Sequence, residues 1–289
     1  MTAKIIDGIV IAKQVYAELK QRVEILGRRD IQPGLAAVLV GNNPASEVYV
    51  RNKVRACADA GLHSEEYRLP INCMETELLA LLQRLNKDPK IHGILVQLPL
   101  PPQLNAQRVT QSIAPGKDVD GFGWTNLGAL LTGDTIFAPC TPLGVMTMLD
   151  HIGVNPEGRE VVVVGRSTIV GKPLTLMLMA RNATVTVCHS RTPDLREHTL
   201  RADILAVAVG KVGVVSGDMV KPGAIVIDVG MNRLTDGKLA GDVDFKTASE
   251  AASWITPVPG GVGRMTVAML IANTVTAAER AVDNREHFF

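Results

Sequence analysis

The chain has 289 residues, 46% hydrophobic and 20% charged, which gives apolar material for about two domains of ~150 residues and argues against disorder. Its formal net charge is +1 with both signs interspersed. That balance removes any composition-based case for nucleic acid or an anionic membrane surface as partner, and no apolar run approaches the ~18 residues of a bilayer span.

The opening MTAKIIDGIV meets Asp7 before any long apolar stretch, so no signal peptide is expected. Cys57, Cys73, Cys140 and Cys188 are scattered without a C-x-x-C and read as reduced core residues of a cytoplasmic protein. LAAVLVG (35–41) and HGILVQLPLP (92–101) predict buried strands, with helical patterns at 44–60 and 75–86 between them. In the first helix Asn43 suits the N-cap, Pro44 the first turn and Gly61 a left-handed exit. Ser46, Tyr49, Lys53 and Cys57 recur three or four apart and share one face. A lysine there is most often a surface residue with a buried stem, though partial burial would favour a neutral amine. Gln97 stands polar at the carboxyl end of an apolar strand, the edge where open α/β sheets gather ligands.

Residues 102–141 form an irregular stretch rich in Pro, Gly and Asp, and the domain junction is placed near its end. Within it, GKDVDGFGWTN (116–126) gathers Asp118 and Asp120 in a tight loop. Phe122 at the third ligand position excludes a calcium loop. Asp120 reads equally as a turn former or a site residue. The six histidines are dispersed, and no pattern suggests a metal.

From 161 onward the chain changes character. VVVVG (161–165), ATVTVCHS (183–190), ADILAVAVG (202–210), AIVIDVG (224–230) and SWITPVP (253–259) follow one another at βαβ spacing. Near-continuous apolar strands alternating with helices predict an α/β fold with a Rossmann-like, doubly wound parallel sheet. The turn after the first of these strands reads Gly165, Arg166, Ser167, lacking the second glycine of the dinucleotide fingerprint. Gly171 can serve close helix–strand packing, and the Ser167 hydroxyl can donate to a phosphate. The next strand ends in His189, Ser190 and Arg191 with no carboxylate for a ribose hydroxyl. Two basic loops therefore favour NADP over NAD. A long helix pattern over 264–282 closes the chain.

Five strings resemble one family in the same order: YVRNK (49–53), VQLPLP (96–101), KDVDGF (117–122), GRSTIVGKP (165–173) and PGGVGRMT (259–266). They are similar to the bifunctional methylenetetrahydrofolate dehydrogenase/methenyltetrahydrofolate cyclohydrolase family, over nearly the whole chain. The resemblance implies NADP-dependent oxidation of 5,10-methylenetetrahydrofolate, then hydrolysis of the methenyl cation to 10-formyltetrahydrofolate. It implies two α/β lobes flanking a cleft: a folate-binding catalytic domain at 1–140, with the 265–289 helix packed back on it, and an NADP-binding domain at 141–264. It also implies a homodimer. By matched motif, Lys53 transfers protons, Gln97 steers it and Asp120 binds the pterin edge. Tyr49, Val96, Leu98, Pro259, Gly260, Gly261, Val262 and Thr266 contact the folate. Gly165, Arg166, Ser167, Ser190, Arg191 and Met231 contact the coenzyme.

Two motifs depart from the family pattern. Arg264 replaces a usual proline in G-G-V-G-P-M-T, and Gly123-Trp124 stand where His-Pro is frequent. The other readings of the chain are an NADP-dependent dehydrogenase of a small polar acid, shikimate-like, and a non-catalytic nucleotide sensor.

Overall fold

The structure, a computed structural model, describes residues 2–286. The described chain divides into two compact units, one of residues 14–140 with 267–286, the other of 2–13 with 141–266.

The 14–140 unit is built on a three-stranded parallel sheet. Gly34–Val40 lies between His63–Leu69 and Gly93–Val96, in register Leu35 with Ser64 on one side and Gly93 on the other. Every residue of the central strand is buried, as a strand with two neighbours and two covered faces must be. The Pro44–Asp59 helix has Asn43 Oδ1 accepting from Ser46 N at 3.1 Å, and the chain leaves through Gly61 at φ 81°. The Glu75–Lys87 helix buries Leu78, Leu82 and Leu85 against Ala36, Val38 and Ile94. Their four-then-three spacing puts all three on one stripe, and each fully buried leucine contributes about 1.5–3 kcal/mol. The His63–Leu69 strand escapes the apolar-run pattern because it is an edge strand reading HSEEYRL.

The other unit carries six parallel strands. Their order is Lys4–Ile5, Trp254–Ile255, Ile225–Asp228, Ile204–Val207, Glu160–Val164, Thr184–Cys188. Counted from Glu160–Val164, the order runs 2-1-3-4-5, the doubly wound arrangement whose switch point lies between its first and third strands. Val162, Val164, Leu205, Val207 and Val226 form its core with Ile255. The SWITPVP run yields only Trp254–Ile255 as strand, since Pro257 and Pro259 cannot donate to a ladder.

The domain expectation needs one correction. Residues 2–13 fall with 141–266, because Lys4 and Ile5 pair in parallel with Trp254 and Ile255. The final helix runs Val262–Glu286. From residue 267 it belongs to the 14–140 unit, where Arg22 Nε donates to Glu279 Oε1 at 2.9 Å. Residues 287–289 of the expected 265–289 helix lie outside the described residues.

Candidate active site

In the 14–140 unit, the expected helix face exists. Ser46, Val50 and Cys57 are buried, Lys53 is half-buried, and the Tyr49 ring is 40% exposed. Burial pushes the Cys57 thiol up to about 12, so it is a packing residue. Lys53 Nζ donates to Gln97 Oε1 at 3.1 Å, and Gln97 Nε2 donates to Leu98 O at 2.7 Å. Gln97 N makes the last ladder bond, to Val38 O at 2.9 Å. The strand therefore stops where its first polar side chain turns toward the lysine. Val96 is only 4% exposed, so its side chain belongs to the core and only its main chain can meet a ligand.

The 116–126 loop separates its two carboxylates. Asp118 is 1% exposed and accepts from Gly123 N at 2.7 Å, Phe122 N at 3.3 Å and Asn126 Nδ2 at 2.8 Å. Desolvation raises its pKa while these hydrogen bonds oppose the rise. It is the turn former. Asp120 keeps part of its surface. The protein around it pushes its pKa up to about 6; the Lys53 charge opposes that rise and Asp118 adds to it. A carboxylate, an amine and an amide thus share one neighbourhood, drawn from a loop, a helix and a strand end.

Two neighbours carry no sequence signal. Cys140 Sγ donates to Val119 O at 3.2 Å and lies 4.0 Å from Asp120 Oδ1. Asn273 Nδ2 donates to Val119 O at 2.8 Å and Ala138 O at 3.1 Å. Cys140 reads from sequence as one more scattered core cysteine, and Asn273 as one polar position in a long helix. Only the fold brings them under Asp120.

In the other unit, Gly165 sits at φ 132°, and a Cβ there would lie 2.3 Å from Ala208 O. A Cβ at Gly171 would lie 2.2 Å from Gly165 O. The glycine thus does serve helix–turn packing, although the fingerprint is irregular. The helix itself begins only at Gly171, later than a start directly after the turn. Ser167 Oγ accepts from Val170 N at 3.1 Å and Gly171 N at 3.3 Å. It closes the intervening turn and keeps its hydrogen to donate. Arg166, Ser190 and Arg191 are exposed. The turn that presents the last two is held by Arg191 N donating to His189 Nδ1 at 3.2 Å. With no carboxylate in 188–193, this donor set fits a nucleotide bearing an extra phosphate.

Met231 is 37% exposed. Pro259 follows a cis peptide bond and is exposed, and Gly260 sits at φ 110°. Gly261 is buried, and Val262 is 3% exposed where the last helix opens; its side chain packs inward. Thr266 Oγ1 lies 3.0 Å from Thr141 Oγ1. Arg264 is exposed, its N–H donating to Gly261 O at 3.1 Å, so the turn closes without the usual proline.

Known proteins match this chain throughout. The signature of the tetrahydrofolate dehydrogenase/cyclohydrolase catalytic domain covers residues 6–120, and that of its NAD(P)-binding domain covers 139–282. A bifunctional protein FolD from Polaromonas naphthalenivorans is 59% identical over 280 residues, 97% of this chain and 100% of the relative. The bifunctional FolD methylenetetrahydrofolate dehydrogenase/cyclohydrolase of Campylobacter jejuni superposes with a TM-score of 0.95 at 48% identity, over 96% of this chain and 99% of that one. The Trypanosoma brucei enzyme, solved with NADP cofactor and inhibitor, gives 0.94 at 40% identity, over 98% and 99%. A shikimate dehydrogenase from Aquifex aeolicus reaches 0.51 at 16% identity over 88% of this chain, a likeness of fold alone. The chain belongs to the tetrahydrofolate dehydrogenase/cyclohydrolase family.

Proposed function

We propose that this protein is a bifunctional one-carbon enzyme. It oxidises 5,10-methylenetetrahydrofolate with NADP⁺ to the 5,10-methenyl cation, then hydrolyses that cation to 10-formyltetrahydrofolate. The observation that carries the reading is the 3.1 Å bond from Lys53 to Gln97 beside the raised carboxyl of Asp120. These are the residue types at the positions that the family motifs occupy.

In this reading the 14–140 unit holds the folate and the 141–266 segment the coenzyme. Asp120 accepts two hydrogen bonds from the amidine-like edge of the pterin, Tyr49 stacks on the aromatic portion, and Leu98 and Thr266 complete the contacts. Val96 and Val262 take part through their main chain, and the matched motif assigns Pro259, Gly260 and Gly261 to the folate as well. On the coenzyme side Gly165 keeps the turn bare, and Arg166, Ser167, Ser190 and Arg191 offer donors to phosphate oxygens. Met231 lines the apolar nicotinamide end.

NADP⁺, when bound, accepts the hydride that leaves the methylene carbon with its electron pair. That step needs no general acid, so the protein contributes alignment. In the hydrolytic step the uncharged form of Lys53 takes a proton at Nζ from the attacking water as its oxygen bonds to the methenyl carbon. The proton then goes to N5 as the carbon–N5 bond breaks, and the second water proton leaves to solvent. Gln97 Oε1 holds Nζ on the line of transfer.

The scattered, unpaired cysteines favour the cytoplasm, and the family pattern implies a homodimer. The test is the purified protein given 5,10-methylenetetrahydrofolate with NADP⁺ or NAD⁺, followed by methenyl absorbance. Formation and decay of that absorbance with NADP⁺ supports the reading, and no reaction with either nucleotide sinks it. Sedimentation of the same sample reads the dimer.

A further inference from the structure

Two carboxylates in the 141–266 segment are fully enclosed and take no part in the chemistry above. Asp228 ends the Ile225–Asp228 strand and is 2% exposed, and Asp242 is 0% exposed. Asp242 Oδ2 accepts from Val209 N at 2.6 Å and Gly210 N at 2.8 Å. Its Oδ1 accepts from Lys211 N and Asn232 Nδ2, at 2.8 and 2.9 Å. Asp228 in turn anchors Asp242. Its Oδ1 accepts from Gly230 N and from Asp242 N, both at 2.9 Å, and its Oδ2 from Val243 N at 3.0 Å.

Three consecutive N–H groups converging on one point make a concavity suited to an anion. Here the chain fills that concavity with its own side chain. The sequence makes room for it: a Cβ at Gly230 would lie 2.2 Å from Asp242 Oδ1, and one at Gly241 would lie 1.8 Å from Asp228 Oδ2. Side chains at those two positions would push the carboxylates off their donors.

The segments joined in this way are informative. Residues 209–211 follow the Ile204–Val207 strand, and 230–232 follow the adjacent Ile225–Asp228 strand. Both leave the carboxyl edge of the sheet, where doubly wound folds bind nucleotides beside the switch point. Each segment carries one exposed apolar side chain, Val209 at 39% and Met231 at 37%. The residues flanking Met231 are both tethered, Gly230 to Asp228 and Asn232 to Asp242. An isolated loop would leave such side chains free to wander. Buried charge-assisted bonds fix the backbone beneath them.

We propose that Asp242 is a positioning residue for the coenzyme, holding the 209–211 and 230–232 segments together so that Val209 and Met231 present a fixed apolar support to the nicotinamide ring. The proposal rests on the NADP-dependent reading above. Asp242 acts through three main-chain N–H groups and the Asn232 amide, and touches no reacting atom.

The test uses the full-length chain and two variants. In Asp242→Asn one acceptor oxygen becomes an NH₂ facing two N–H donors; Asn232→Ala removes one tether and leaves the three backbone bonds. Each is measured for the KM of NADP⁺ and kcat in oxidation, and for hydrolysis of supplied methenyltetrahydrofolate without coenzyme. Circular dichroism and thermal melting report the folded fraction. For Asp242→Asn the expected result is a tenfold or greater rise in the NADP⁺ KM with hydrolysis retained. For Asn232→Ala the expected rise is threefold or more. Equal loss of both activities at unchanged KM would show a scaffold role only and overturn the proposal. If Asp242→Asn fails to fold, Asn232→Ala decides, and a wild-type KM there overturns the proposal. A wild-type chain that does not reduce NADP⁺ at all defeats the functional reading itself, an outcome read separately from the variants.

Discussion

Lys53 and Gln97 meet at 3.1 Å although 44 positions separate them, one on a helix and one at the exit of a strand. Because Gln97 is also held through its own N–H to Val38 O and its amide to Leu98 O, the lysine's partner has little freedom to leave. The amine is steered by a side chain that is itself fixed.

The first prediction follows from that pairing. Lys53→Met removes the proton carrier and should lower hydrolysis of methenyltetrahydrofolate by ~100-fold or more, the usual span of general acid–base catalysis. Gln97→Ala keeps the amine but not its direction and should cost about tenfold, one misplaced hydrogen bond's worth. Decay of methenyl absorbance measures both, and an unchanged rate in Lys53→Met withdraws the lysine from the mechanism.

Asp120 sets a pH dependence. Its carboxyl titrates near about 6 because burial disfavours the charge more than Lys53 restores it. Above that pH it is an ionised double acceptor; below it, it carries a proton and loses that capacity. The KM for the folate should therefore rise as pH falls from 7 to 5 and stay flat above 7. Asp120→Asn should have a high KM with no inflection in this range.

Arg166 decides between the two nucleotides. Its side chain is exposed at the turn, and a hydrogen bond to a charged group is worth about 1.5–3 kcal/mol before solvent screening. Arg166→Ala should raise the KM for NADP⁺ ~10-fold while moving that for NAD⁺ little. Equal losses for both nucleotides would remove the 2′-phosphate contact.

Asp228 links stability to pH. Desolvation pushes it up to about 6 against the pull of its backbone hydrogen bonds, above the ordinary aspartate value of about 3.9. The sign follows from proton counting: between those values the folded form holds the proton and the unfolded form has released it. The contribution is complete below about 4 and is lost as pH rises through about 6, at most ~3 kcal/mol. Urea titrations of wild type and Asp228→Asn at pH 4 and 7 should show the wild type losing ground to the variant as pH rises. A difference that does not change with pH contradicts this.

Much of this molecule is readable before folding, for identifiable reasons. The strand residues at 34–40, 161–164 and 204–207 are buried, so their apolar runs are unbroken. The Pro44–Asp59 helix announces itself through its cap and its exit glycine. Gln97 surfaces as a candidate because it breaks an apolar strand, whereas Lys53 and Asp120 stand out only through the matched family motifs. Other features leave no local trace. HSEEYRL pairs on one side only and shows mostly polar side chains. Lys4–Ile5 is too short to stand out, and its partner lies at the far end of the chain. The Asp228–Asp242 connection joins a strand end to a loop residue across 14 positions, and in sequence each aspartate looks like ordinary punctuation. Contacts that depend on two loops arriving together cannot be inferred from either loop.

The two hydrogen bonds that Asn273 Nδ2 donates to Val119 O and Ala138 O clasp the neck of an excursion whose far end, residues 131–135, is exposed. Asp120 sits at the clasped end of that excursion, and the Trp124–Thr132 helix stands between it and the tip. Foreign sequence, a reporter peptide or a dye-bearing cysteine grafted at Gly133 or Asp134 should leave Asp120 undisturbed, which makes that tip a handle for labelling a working enzyme.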